Sequence, residues 1–159
     1  MTSEQLVSKL GSCLTALLLA ACGGRTSPVQ PAKSASAAVQ GFMQAVADSN
    51  LSKMADLWGT ASGPASKTNQ PPDWERRVAI MQAYLKSDSF RVISDVPDPS
   101  GRRNLLVQIR RQACSWSVPF VAIKTNDDSW LVNQVDLTQA GNPARPCLEG
   151  TSVDSTTGK

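Results

Sequence analysis

The spacing of apolar residues changes once along this 159-residue chain, near Ser89, and that change constrains the fold more than any other feature. Before it, apolar residues return every three or four positions; after it they alternate. Ser34 and Ser36 are candidate caps for a first helix, in which Val39, Phe42, Met43, Val46 and Ala47 form one stripe. Asp48-Ser49-Asn50 breaks it. A shorter helix starts near Ser52, with Met54, Leu57 and Trp58 apolar, and ends at Gly59. The stretch ASGPASKTNQPP reads as loop. A third helix follows Asp73, its expected cap, with Glu75 near the positive end and Val78, Met81, Tyr84 and Leu85 as its stripe.

The alternating part divides at turn residues. Phe90 to Val96 reads as a strand closed by Pro97-Asp98-Pro99-Ser100-Gly101. Asn104 to Ala113 is a second strand, with Leu105, Val107 and Ile109 on one face. Ser115 to Lys124 is a third, where Pro119 indicates a bulge or an edge position. Asn126-Asp127-Asp128 is a turn, and Ser129 to Leu137 is the last strand. Helices followed by strands argue for an α+β fold, here three N-terminal helices on one face of a four-stranded antiparallel sheet.

The opening VQGFMQAVADSNLSKMADLWG, the Pro-Pro-Asp-Trp entry to the third helix and the closing WLVNQVDL carry a family likeness. From Ala38 to Leu137 this pattern of hydrophobics resembles the nuclear transport factor 2-like fold. The resemblance implies a curved, cone-like sheet with a pocket between its concave face and the helices. Enzymes of that family place an aspartate or histidine in the pocket. Counting by twos from Leu105 reaches Arg111, and from Trp130 through Val132 reaches Gln134 and Asp136; in that register Arg111 and Asp136 point inward as an ion pair, an anion clamp and a proton acceptor in the pocket. The reading favoured by strands that are apolar on both faces is a bulge that flips this register by one residue, leaving Leu131, Val135 and Leu137 as the core set and both charges in water. Tyr84, the single tyrosine, completes the set of pocket candidates.

Nearer the amino end, Leu10 to Ala21 is uncharged and too short to span a bilayer, but has the length of a signal-peptide core. Leu19-Ala20-Ala21-Cys22 resembles the lipobox of bacterial lipoproteins, which implies a diacylglycerol on Cys22, fatty-acyl (palmitate-type) chains and cleavage before that cysteine. The expected layout is a signal peptide over 1–21, a tether over 22–33, a domain over 34–148 and a loose tail over 149–159. The resemblance also implies a cell-envelope location, lipid-anchored. Gly23, where an aspartate often retains such proteins in the inner membrane, implies by resemblance to enterobacterial sorting the outer membrane, facing the periplasm. With Cys13 removed and Cys22 acylated, Cys114 and Cys147 remain. A disulfide is the simplest use of such a pair in an exported domain, and its loop of about 33 residues would contribute roughly 3–4 kcal/mol. The alternatives are a catalytic thiol or half of a metal site, both poorly served by a chain without histidine.

A net charge of +3 is too mild for a nucleic-acid reader. Arg102, Arg103, Arg110 and Arg111 suit a solvated strand edge better than a lipid-binding patch. Trp58, Trp74, Trp116 and Trp130 fall on separate elements among apolar neighbours and read as core anchors. There is no G-x-S-x-G elbow, phosphate-cradling loop or calcium loop, and no cofactor or metal is expected. The expected function is non-enzymatic, binding an envelope protein or a small apolar molecule. A small isomerase, dehydratase or hydrolase using Asp136 is one alternative, and a structural spacer of an envelope assembly is another.

Overall fold

The computed structural model describes residues 30–145. The expected signal peptide, Cys13, Cys22, Cys147 and the tail over 149–159 lie outside the described residues. Within them, helices precede a four-stranded antiparallel sheet, an α+β arrangement.

Helix α1 (Ala35–Ala47) starts where Ser34 Oγ accepts the Ala37 N–H at 3.1 Å. Its Val39, Phe42, Met43 and Val46 are all buried. Asn50 then closes one helix and opens the next: its N–H donates to Ala45 O, and its side chain accepts the Lys53 N–H at 2.9 Å to cap α2 (Leu51–Leu57). The segment expected to be loop is structured. Strands β1 (Gly59–Thr60) and β2 (Gly63–Pro64) form a small hairpin, followed by the single turn α3 (Ala65–Thr68). Gly59 is required there, because a Cβ would lie 2.3 Å from Gly63 O. Helix α4 (Trp74–Leu85) buries Val78, Met81 and Leu85. Asp73 occupies its N-cap position, but with φ 58° and without the side-chain cap bond expected of it. Tyr84 is 37% exposed, off the stripe expected to hold it. At about 100° per residue it falls with Ile80, away from the Val78–Met81–Leu85 face.

Strands β3 (Ser89–Pro97), β4 (Arg103–Arg111), β5 (Cys114–Lys124) and β6 (Trp130–Val135) pair in sequence order, β3 and β6 being the outer two. Alternation in β4 and β5 sends Leu105, Val107, Ile109, Val118, Phe120 and Ala122 to the face that α1 covers. Phe42 meets Phe120 edge-to-face, with centroids 6.3 Å apart. Full burial of each such side chain contributes roughly 1.5–3 kcal/mol. Trp58 belongs to this core, and Trp74, Trp116 and Trp130 pack against it.

Two irregularities shape the sheet. Ile93 is an extra residue in β3, since Val92 and Ser94 face Val107 and Leu106. Asn133 is an extra residue in β6, since Val132 faces Ala122 while Gln134 faces Val121. Pro119, expected at an edge or bulge, instead sits in the interior strand β5, opposite Leu106. It is tolerated because its carbonyl, and therefore its nitrogen, faces the end of β6, where Pro119 O accepts the Asp136 N–H at 2.9 Å. No β4 bond needs the missing proton.

The outer edge of β6 is half covered by the chain itself. Ala32, which the sequence places in the tether, bridges antiparallel to Trp130 and accepts its N–H at 2.9 Å. Trp58 bridges parallel to Val132. Among the described residues no helix is long and apolar enough to cross a membrane.

Candidate functional site

A groove of about 430 Å³ opens where the chain's own cover on β6 stops. Its size falls in the range of ligand pockets. Trp58 closes one end, α4 supplies Arg77, Ile80 and Met81, and Asn133 to Leu137 supply the opposite side, with Pro119 and Val121 from β5. The end at Trp58 is held by a reciprocal clasp. Trp58 Nε1 donates to Asn133 O at 3.0 Å, and Asn133 Nδ2 donates to Gly59 O at 2.8 Å. The bulge residue thus bonds β6 to the turn that follows α2.

The same bulge decides where Asp136 goes. Trp130 and Val132 lie on the core side, but the extra Asn133 restarts the alternation, so Val135 packs against the core and Gln134 is exposed. Asp136 is exposed at the rim of the groove. Its Oδ1 accepts the Thr138 N–H at 3.1 Å and the Thr138 hydroxyl at 2.6 Å, capping a 3₁₀ turn over Leu137–Gln139. The bulge thus takes the favoured register, with Leu131 buried, Val135 and Leu137 against the core and Asp136 in water, and no ion pair joins Asp136 to Arg111.

Arg111 follows Leu105, Val107 and Ile109 in register but lies at the other end of α4. Its Nε donates to Lys86 O at 2.7 Å, its Nη1 to Ala140 O at 2.9 Å and its Nη2 to Tyr84 O, while its guanidinium stacks 5.0 Å from the Trp116 ring centroid. Tyr84 O and Lys86 O are carbonyls at the C-terminal end of α4, where a cation is also favoured by the helix dipole, and Ala140 O comes from the turn after β6. Partial burial pushes the guanidinium below its ordinary pKa, and Asp88 pulls it the other way. Arg111 is thus a clamp on main chain. It meets the backbone of Tyr84, whose ring is exposed, and neither it nor Tyr84 lines the groove.

Other hollows lie among the described residues. One of about 330 Å³ lies where the chain enters, among Gln30, Pro31, Lys67 and Trp130. Another of about 310 Å³ lies among Lys86, Asp88, Arg111, Trp116 and Arg145. In the latter Asp88 is engaged by the Gln112 N–H at 2.7 Å. Cys114, at the start of β5, is disulfide-bonded. Of the basic residues singled out in the sequence, Arg103 pairs with Asp95 at 2.7 Å and Arg110 donates to Gln112 O. No cluster of three metal-ligating side chains occurs among the described residues.

Sequence reasoning reached Asp136 but missed Arg77, Ile80 and Asn133. The available signal was on α4: Ile80 and Tyr84, four residues apart, are apolar and off the core stripe, and both are exposed, at 40% and 37%. No family model matches the chain, and no curated protein and no solved structure matches it.

Proposed function

We propose that this is a lipid-anchored protein of the bacterial envelope whose domain, of the nuclear transport factor 2-like cone type, binds a ligand in the groove between α4 and the end of β6. The observation that carries the binding role is the groove itself, with apolar Trp58, Ile80, Met81, Val135 and Leu137 along it and Arg77 and Asp136 at its rim. Helices on one face of a four-stranded antiparallel sheet support the cone reading. The anchor rests on Leu19-Ala20-Ala21-Cys22. By the same reading, Cys147 is the disulfide partner of Cys114, a pairing supported by Asn142 and Arg145 lining a hollow beside Arg111 and Trp116.

Asp136 lines the groove too, which supports the competing reading of a proton-transfer enzyme. Its Oδ1 is already engaged by Thr138, and the rim offers it no histidine or second carboxylate. The test uses protein purified from envelopes. Intact mass should show an acylated chain beginning at Cys22. The apolar dye anilinonaphthalene sulfonate should brighten on binding, and Ile80→Glu, a change at an exposed position, should weaken that binding about tenfold. Dye binding insensitive to Ile80→Glu would remove the groove as the site.

A further inference from the structure

Resting on the groove reading, we infer that its ligand is an extended, acidic peptide segment that adds as a strand to the open end of β6. The main chain supplies the first argument. Asp136 N–H bonds to Pro119 O, and antiparallel ladders alternate bonded and unbonded residues. Val135, paired with Phe120 one step earlier, therefore turns its N–H and C=O away from β5, toward the groove it lines. On the other side of the bulge at Asn133 the phase is reversed, so Trp130 faces outward too, and there the edge is in use: Trp130 N–H donates to Ala32 O.

Continuity is the second argument. The outer edge of β6 already takes one antiparallel piece of chain at Trp130 and one parallel piece at Trp58. Past Asn133, whose carbonyl Trp58 Nε1 already takes, Val135 is the outward-facing position left open, and an uncovered edge is a template for pairing with another strand. Small apolar ligands have no use for outward main-chain groups. An added strand uses them and sends alternate side chains toward α4, where Ile80 is 40% exposed.

Charge sets the composition. Arg77 is exposed at the α4 side and forms no ion pair among the described residues, with Arg76 beside it. Asp136, the acid on the rim, is on the strand side and partnered by Thr138. A carboxylate in the added segment reaches Arg77, whereas a lysine there meets like charge.

The test uses the full chain in detergent micelles and a capped six-residue peptide of alternating valine and threonine with one glutamate. Amide hydrogen exchange at Val135 should slow about fivefold at saturation, the protection of one added hydrogen bond. A twin with N-methylated backbone should not bind, and replacing its glutamate by lysine should weaken binding about fivefold, a difference abolished by Arg77→Ala. Equal binding of the N-methylated twin, or bound peptide with unchanged Val135 exchange, overturns strand addition. If the apolar dye occupies the groove while no peptide binds, strand addition falls and the groove reading stands. If neither binds, both fall.

Discussion

Replacing Arg111 with alanine should destabilise the domain by about 2–3.5 kcal/mol. The side chain donates to three carbonyls, those of Tyr84, Lys86 and Ala140, and stacks on Trp116. A buried charged hydrogen bond contributes about 1.5–3 kcal/mol, but Arg111 is half exposed, so each is discounted to roughly 0.5–1. The ring contact adds about 0.5 kcal/mol. For a domain of this size the sum corresponds to a fall in Tm of about 10 °C. Arg111→Lys keeps the charge but gives up the planar fork that reaches three acceptors at once. It should recover about one third of the loss. The assay is urea unfolding followed by tryptophan fluorescence without reductant, so that the Cys114 disulfide stays closed. Full stability in Arg111→Lys would show that a point charge suffices. A loss below about 0.5 kcal/mol in Arg111→Ala would show that water satisfies the carbonyls equally well. Dye binding should be unchanged in either variant under folding conditions, since Arg111 does not line the groove.

Gly59→Ala places a Cβ 2.3 Å from Gly63 O, a main-chain atom that cannot step aside. Urea titration should show a loss of roughly 1–3 kcal/mol, with weaker groove binding because Asn133 holds Gly59 O. Asp98 predicts an acid dependence. The Ser100 hydroxyl and N–H hold its carboxyl below the usual range, so the unfolded chain binds a proton more readily than the folded one. That contribution is present above the ordinary carboxylate pKa and fades as pH falls through the lowered one. The urea midpoint of Asp98→Asn should therefore drop less steeply from pH 5 toward pH 3 than that of the parent, about those limits being where an ordinary carboxylate titrates. Identical slopes refute the assignment.

The main elements were legible because their periodicity and caps agreed. Val39, Phe42, Met43 and Val46 read as one helix face and are buried as one; Leu105, Val107 and Ile109 read as one strand face and line the core. What was not legible follows from ambiguity at the residue level. Trp130-Leu131-Val132-Asn133-Gln134-Val135 is apolar on both faces, so the sequence offers two registers, and the bulge at Asn133 uses one before it and the other after. Asp136 consequently lies at the rim and not inward. The stretch from Ala61 to Pro72 reads as loop because Gly, Pro and Ser there signal turns, yet part of it pairs back onto Gly59, which is small so that β2 can approach it. The Arg111 partners are main-chain carbonyls from distant segments, which carry no side-chain signature at all.

The bridge between Ala32 and Trp130 has a mechanical consequence. Of the described residues, Ala32 is the first to bond to the sheet, and it does so at the outermost strand. Since Trp130 begins the strand that borders the groove, a force applied at Ala32 and occupancy of the recess act on the same short piece of backbone.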